Sequence, residues 1–256
     1  MPPSRKITTF LTAATLVVAA ACSAKDAPTG PSTTGPSGRL RVVNAVPDPT
    51  RGGAANVKIG DQVFAVNLAY GAATGYQRVY TGSRELHMRR TTDTTIVLLD
   101  QTFEVAADAD FTAFALGKLP ANGGTGISAI LLPDNNTAPA TGNVKLRFVN
   151  ASPAAGSVDV YVTAPAASIT TATPDVSGLN YASATAYLEK PAGTYRVRVT
   201  TTATKTVILD ITQTAVTTPA PGIPALPALT AGSIRTIAIL DKTGSGTPIT
   251  AAIYNP

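Results

Sequence analysis

Residues 145–153 read Lys-Leu-Arg-Phe-Val-Asn-Ala-Ser-Pro, and a close variant, Arg-Val-Val-Asn-Ala-Val-Pro, occupies residues 41–47. In the first segment Leu146 and Phe148 fall on one side of an extended chain, whereas Lys145 and Arg147 fall on the other. This period of two is typical of a β-strand with one buried and one solvated face. Because the motif occurs twice, it also indicates two copies of one β unit.

Other segments repeat the same alternation. Residues 195–199, Tyr-Arg-Val-Arg-Val, and residues 84–89, Arg-Glu-Leu-His-Met-Arg, place apolar side chains at every second position. Gly and Pro, 21 and 20 residues in all, separate these runs at short intervals. No stretch after Cys22 carries a helical apolar stripe, so the pattern predicts an all-β chain.

Further matches between the copies keep their order and approximate spacing. Residues 68–76 and 179–187 share the pattern Tyr-x-x-Ala-Thr-x-Tyr, and residues 97–100 match residues 207–210. The matches predict two tandem antiparallel β-sandwich domains over 38–133 and 142–256, joined by a linker at 134–141. We expect about seven strands in each, with Greek-key connections of an immunoglobulin-like or transthyretin-like kind. The immunoglobulin hallmarks are absent, since the chain has no Trp and a single Cys.

The amino terminus has the organisation of a secretory signal. Arg5 and Lys6 precede an uncharged, mostly apolar run over residues 7–21, which ends in three alanines before Cys22. A basic start, a short apolar run and a small-residue cleavage site are typical of an exported protein. The run is short for a membrane span of about 20 residues. We therefore predict a signal peptide over residues 1–21.

The alanines before Cys22 resemble the lipobox of bacterial lipoproteins, although Ala19 stands where that family prefers Leu. The resemblance implies a lipid on the Cys22 thiol, cleavage before it, and anchoring in a membrane. By the same resemblance Ser23, in place of Asp, favours the outer membrane of a double-membraned cell, and the location that we expect is the outer membrane or a periplasmic face of the envelope. Residues 22–37, rich in Pro, Gly, Ser and Thr, are predicted to be a flexible tether.

The charge distribution argues against nucleic-acid binding. The net charge is +5, and removal of the signal leaves 18 basic residues against 15 acidic ones. Those basic residues alternate with apolar ones instead of forming a patch. The partners that we expect are membrane lipid at Cys22 and an envelope glycan or protein, with no cofactor.

The titratable residues predict neither a catalytic nor a metal site. His87, the only histidine, falls on the solvated face of its strand with no favourable neighbour, so a Cys/His zinc site is excluded. Asp108 and Asp110 fall in a predicted turn without the spacing of a calcium loop. Asp100 and Asp210 occupy matched positions, for which we predict hydrogen bonds from a turn. Asp159 is predicted to face solvent.

Three further features have alternative interpretations. Tyr70, Tyr76, Tyr181 and Tyr187 are predicted to fill the sandwich cores, although they could also form a sugar-stacking platform. Residues 122–126, Asn-Gly-Gly-Thr-Gly, lack the Lys-Ser/Thr pair of a phosphate loop and are predicted to form a turn. Residues 214–230 form a Pro-rich insertion in copy two, in which Ile223, Leu226 and Leu229 are candidate exposed contacts for a partner.

The motifs at residues 146–153, 157–162 and 191–197 resemble the bacterial DUF4397 family, whose members often carry the unit in tandem on exported proteins. The resemblance is close in copy two and weaker in copy one. Many members have His where Asn44 and Asn150 stand here, and the family implies no established activity. We therefore expect a non-enzymatic envelope protein with a binding or structural role. A hydrolase of envelope polymer and a passive surface spacer are the alternatives.

Overall fold

The computed structural model of the chain describes residues 35–47, 53–118, 126–213, 222–242 and 249–256. The predicted signal peptide, Cys22 and residues 22–34 lie outside the described residues. Every regular element of the described residues is a β-strand. Copy one contains eight of them: β1 Ser37–Ala45, β2 Ala55–Ile59, β3 Gln62–Leu68, β4 Gln77–Tyr80, β5 Gly82–Arg90, β6 Val97–Val105, β7 Asp110–Gly117 and β8 Ile127–Asp134.

Copy two contains nine strands in the described residues. They are β9 Asn143–Asn150, β10 Val158–Thr163, β11 Val176–Leu179, β12 Ser183–Ala184, β13 Leu188–Pro191, β14 Arg196–Thr201, β15 Val207–Thr212, β16 Ile234–Asp241 and β17 Ile249–Tyr254.

Each copy pairs two sheets, which we call inner and outer. The inner sheets have the orders β4-β1-β7-β8 and β12-β9-β16-β17, with β13 also pairing with β9. The outer sheets have the orders β3-β2-β5-β6 and β11-β10-β14-β15. The all-β sandwich prediction is confirmed. The inner sheets are nevertheless mixed, because β1 runs parallel to β7 and β9 runs parallel to β16.

A separate apolar core lies between the two sheets of each copy. Leu40, Val57, Leu86 and Met88 belong to the first core, and all are fully buried. Leu146, Val160, Val197 and Val199 occupy the corresponding places in the second. These are the alternating apolar positions that the sequence pattern predicts, and burial of such side chains is the main stabilising contribution to a fold of this kind.

The inner sheets of the two copies pack against each other through a third cluster. Val43 and Phe114 of copy one contact Val149 and Ala238 of copy two, and none of the four is exposed. Strands β1 and β9 are therefore buried on both faces. Consequently Lys145 and Arg147, which the sequence places on a solvated face, are only 5% and 2% exposed.

The repeated motifs have repeated structural roles. The Thr74 hydroxyl accepts a hydrogen bond from the Val42 backbone N–H at 3.0 Å, and Thr185 accepts one from Phe148 at 3.1 Å. The Asn44 amide donates to the carbonyls of Gly53 and Leu68, and the Asn150 amide donates to those of Gly156 and Leu179. These buried polar side chains tie neighbouring loops to the first strand of each copy.

Candidate functional site

The outer face of the copy-one outer sheet carries a row of polar side chains. Because side chains alternate along a strand, burial of Val57, Leu86 and Met88 in the core turns Lys58 and His87 outward. Lys58 on β2 lies opposite His87 on β5, and His87 lies opposite Asp100 on β6. We call this row of three residues the open ladder.

Ion pairs and hydrogen bonds fix one half of the open ladder. The His87 Nδ1 lies 2.8 Å from Asp100 Oδ1, and Arg89 donates to the two oxygens of Asp100 at 2.6 and 3.0 Å. The hydrogen bond from Arg89, assisted by His87, holds the pKa of Asp100 below its usual value. Lys58, by contrast, is exposed and has no hydrogen bond or ion pair with a described residue.

A shallow depression of about 490 Å³ lies over this face. Its lining consists of Asn56, Lys58, Gly60, Asp61, His87, Arg89 and Thr94. The β2–β3 connection is a two-residue hairpin, Gly60-Asp61, and Gly60 adopts a φ of 54°, which glycine does without steric cost. The short hairpin leaves the depression uncovered.

Copy two has the same ladder at the corresponding positions. Tyr161 on β10 lies opposite Arg198 on β14, and Arg198 lies opposite Asp210 on β15. Here the chain between β10 and β11 is longer, and residues 164–175 cross the outer face; we call this segment the strap. Tyr161 is fully buried and Arg198 is 6% exposed, although both point away from the core. The same face is therefore open in copy one and covered in copy two.

Cationic side chains hold the strap through its backbone carbonyls. Lys205 Nζ donates to the carbonyls of Ile169, Thr170 and Ala172 at 3.3, 3.1 and 2.9 Å, and lies 5.7 Å from the Tyr161 ring centre. Arg198 donates to the Ala167 carbonyl at 2.7 Å. Hydrogen bonds from charged donors are stronger than neutral ones, which explains how a strap of small side chains stays in place.

A second polar cluster lies between the copies. Arg147 of copy two contacts Asp134 at 2.5 Å, with side chains only 3% and 0% exposed. Thr112 and Tyr76 also donate to Asp134, at 2.5 and 2.6 Å. Burial, with the hydrogen bond to Asp134 contributing, raises the pKa of Tyr76 to about 12. This cluster holds the copies together and is closed to a ligand.

The contacts between the copies are partly symmetric. Arg147 donates to the Pro133 carbonyl at 3.0 Å, and Arg41, its counterpart in copy one, donates to the Asn255 carbonyl, the counterpart of Pro133. Arg41 also donates to Thr112, as Arg147 does to Thr236. The two copies therefore bind each other through equivalent faces.

Several interpretations of individual acidic residues are corrected. Asp100 and Asp210 accept hydrogen bonds from Arg89 and Arg196 on neighbouring strands, not from turns. Asp100 is also the neighbour that the sequence did not reveal for His87. Asp159 is 6% exposed instead of solvent-facing, and its carboxylate accepts a hydrogen bond from the Gly178 backbone N–H at 2.8 Å.

The predicted turn at Asp108 and Asp110 is only half right. Asp108 lies in a turn with a φ of 54°, but Asp110 begins β7 and pairs with Arg39. The two carboxylates therefore have different partners and do not share a site.

The four tyrosines are half-buried, but they lie between the copies and not inside the sandwich cores. Tyr70 donates its hydroxyl to the Asp241 carbonyl of the other copy at 2.5 Å, and Tyr76 reaches Asp134. Tyr181 packs against the cluster between the inner sheets. Tyr187 lies under Arg147, with the guanidinium 4.8 Å from the ring centre. Their matched spacing reflects their shared position between the copies. These four rings therefore do not form an exposed platform on which a sugar could stack.

The Pro-rich insertion contributes to the copy-two core. Leu226 and Leu229 are each 2% exposed and Ile223 packs partly buried beside them, which corrects their interpretation as exposed contacts. Residues 214–221 lie outside the described residues, as do 119–125, which include most of the predicted glycine turn.

The sequence does not reveal this site because its two key features carry no motif. The duplicated motifs align Lys58 with Tyr161, but the two side chains differ in type, so the alignment does not indicate a shared function. The strap had one signal. Val57 precedes Leu68 by 11 residues, whereas its counterpart Val160 precedes Leu179 by 19. Those eight extra residues are accommodated in the strap.

The described residues hold neither a metal-ion cluster nor a membrane-spanning helix. Within the described ranges, no group of three or more His, Cys, Asp or Glu residues is placed to hold a metal ion. The described residues also contain no helix with the length and apolar character needed to span a membrane.

Comparisons with solved structures give remote matches. One is CBMbc, of family CBM26, from Eubacterium rectale Amy13K in complex with maltoheptaose. The sequences are 9% identical, the match covers 85% of this chain and 97% of that chain, and the TM-score is 0.26. Another is a candidate adhesin from Bacteroides ovatus. The sequences are 12% identical, the match covers 86% of this chain and 95% of that chain, and the TM-score is 0.24. At these TM-scores neither likeness contributes to the argument. No curated protein matches the chain.

The family comparison is more informative. The family model of DUF4397, a domain of unknown function, matches residues 38–161. The match contains all eight strands of copy one, where the resemblance was expected to be weaker, and extends into β10. Over residues 38–161, just under half of the chain, the protein is therefore similar to the DUF4397 family.

Proposed function

We propose that the protein is a non-catalytic binding module of the bacterial cell envelope, which is anchored by a lipid on Cys22 and presents the open ladder to a ligand. The observation that carries the proposal is the difference between the two outer faces. The copies share one ladder, but only copy one leaves it accessible, above a depression lined by polar side chains.

The arrangement of the sheets supports this role. The inner sheets face each other across the third apolar cluster, so the copy-one outer sheet lies on the side of its sandwich away from copy two. A ligand can reach the open ladder without separating the copies. Lys58 supplies an unpaired donor, while Arg89 and Asp100 hold His87 in a fixed orientation.

The binding role is tested by arrays of envelope glycans and peptides probed with the labelled protein. We expect a ligand to bind wild type and to lose binding in a blocked variant that carries Lys58→Glu and His87→Ala. Lys242→Glu, at an exposed lysine of copy two, is the matched charge control and should bind as wild type does. Equal binding by the blocked variant, or none by wild type, would contradict the proposal.

The envelope location rests on the amino terminus, with Arg5 and Lys6, the apolar run to Ala21, and Cys22. Several acyl chains on one cysteine anchor firmly, because each buried CH₂ contributes about 0.8 kcal/mol. Cells that express wild type and Cys22→Ala are grown with a fatty-acid analogue and fractionated. We expect label and outer-membrane location in wild type alone; equal labelling of both would exclude the anchor.

A further inference from the structure

The strap in copy two is an internal example of what the ladder can hold. Two turns shape it, in which the backbone N–H groups of Ala167 and Ala172 donate to the carbonyls of Ala164 and Ile169 at 3.1 and 3.2 Å. Its sequence up to Pro174, APAASITTATP, has no charged side chain and only one large apolar one, Ile169. The contacts that hold it are made to backbone carbonyls by Arg198 and Lys205.

Copy one has the donors for a similar chain, in a slightly different arrangement. His87 stands at the position of Arg198, and its Nε2 has only a distant contact with Glu85 at 3.5 Å. By the alignment of residues 97–100 with 207–210, Thr95 stands at the position of Lys205. Lys58, at the position of Tyr161, supplies the ammonium group from the sheet itself.

The depression itself favours a chain of small residues. Its lining contains no aromatic and no large aliphatic side chain, so it has no pocket for a bulky side chain and no ring on which a sugar could stack. Donors on a flat surface suit a polypeptide backbone, which offers a carbonyl at every residue. Recognition of peptides through their main chain is an established mode of binding.

We propose that the open ladder binds an uncharged, turn-forming polypeptide segment rich in Ala, Pro, Ser and Thr, in the place that the strap occupies on copy two. This inference rests on the proposed binding role and specifies its ligand class. Lys58 and His87 donate to the backbone carbonyls of the segment. Specificity comes from the small size and neutrality of its side chains.

The probe is a fluorescent peptide with the sequence of residues 164–174 and blocked ends, titrated into the purified full chain and followed by fluorescence anisotropy. We expect saturable binding that Lys58→Ala weakens about tenfold, as loss of one charged hydrogen bond implies. Lys242→Ala should leave the affinity unchanged. A probe with Glu at the positions of Ser168 and Thr170 should bind more weakly, because Glu85, Asp61 and Asp100 lie around the face.

Peptidoglycan fragments titrated into the same protein separate the failure of this inference from the failure of the proposed function. If the fragments bind at Lys58 and the peptide does not, the peptide class is wrong and the binding role stands. If neither ligand binds, or if both bind equally well to Lys58→Ala, the open ladder is not a binding site and both proposals fall. Thermal unfolding of Lys58→Ala, expected at the wild-type midpoint, establishes that the variant is folded.

Discussion

At the scale of single residues, Arg147 illustrates how a charge can be buried by the packing of whole sheets. Its alternation with Leu146 and Phe148 places it on the second face of β9, and the inner sheet of copy one covers that face. Asp134 compensates the buried guanidinium at 2.5 Å. A buried ion pair of this kind adds little net stability by itself, but the loss of one partner is costly, because it leaves the other charge buried without compensation.

We therefore predict that Asp134→Asn lowers the free energy of unfolding by about 3 kcal/mol. The matched variant is Asp210→Asn, which removes the partner of Arg196 from an ion pair whose side chains are 35% and 34% exposed. Solvent screening limits that effect to less than about 1 kcal/mol. Urea unfolding of both variants measures the difference, and similar losses would mean that the Arg147 site is hydrated.

Asp110 provides a pH prediction. The hydrogen bond from Arg39 is the largest influence on Asp110 and lowers its pKa, against the opposing effect of burial. A carboxyl with a lowered pKa in the folded state stabilises the fold fully above its unfolded value of about 3.9, and this contribution is lost as the pH falls through the folded value.

Wild type should therefore be more stable than Asp110→Asn near neutral pH, and that advantage should shrink as the pH falls from about 5 to about 3. Urea midpoints measured across this range for both proteins test the sign. An advantage that grows toward low pH would contradict the assignment, and Arg39→Leu should remove most of the pH dependence of the difference.

At the scale of elements, the strap and the insertion differ in how they are held. The strap is fixed by donors to its carbonyls, with Lys205 making three of these contacts. Lys205→Met should free the strap, so that amide hydrogen exchange between residues 164 and 175 becomes faster while β9 is unaffected. Lys190→Met, which breaks a contact with Asp175 at the far end of the strap, is the companion variant and should have a smaller effect. Unchanged exchange in Lys205→Met would show that other contacts hold the strap.

The insertion is held by apolar burial. Leu226 is 2% exposed in the copy-two core, and its backbone N–H donates to the Thr212 carbonyl at 2.8 Å. Leu226→Ala should cost about 2–5 kcal/mol of stability, because the cavity it leaves is only partly filled by relaxation. Val207→Ala, at a side chain that is 43% exposed, should cost less than about 1 kcal/mol. Nearly equal losses of stability in the two variants would mean that Leu226 is an exposed residue, as the sequence suggested.

The elements also show what the sequence could predict. Period-two patterns and the duplicated motifs were sufficient for the strands and for the match of Lys58 with Tyr161, since both depend on local alternation. They could not indicate that both faces of β1 and β9 are buried. Alternation shows which side chains share a face of a strand, but it does not show what covers the polar face. For the same reason Asp159 was predicted to face solvent, and the alternation in residues 195–199 does not indicate that Arg198 is covered. The strap that covers Arg198 has no periodicity of its own.

At the scale of the whole molecule, the third cluster makes the two copies mechanically dependent on each other. Phe114 and Val149 are fully buried between the inner sheets, and cross-copy hydrogen bonds from Tyr70 and Tyr254 reach the carbonyls of Asp241 and Gly71. Unfolding of one copy would expose this apolar surface on the other. The free energy of that exposure couples the two cores, although each core is built from its own copy.

The coupling predicts that a destabilising substitution in one copy also lowers the stability of the other. Leu209 is 2% exposed in the copy-two core, far in sequence from copy one, and Leu209→Ala should lower the urea midpoint of copy-one backbone resonances as well as that of copy two. In a second protein that also carries Ala238→Asp, which places a carboxylate in the third cluster, the copy-one midpoint should no longer respond to Leu209→Ala. If the copy-one midpoint is indifferent to Leu209→Ala in the otherwise wild-type chain, the two sandwiches unfold independently, and the contacts between the inner sheets contribute too little energy to couple them.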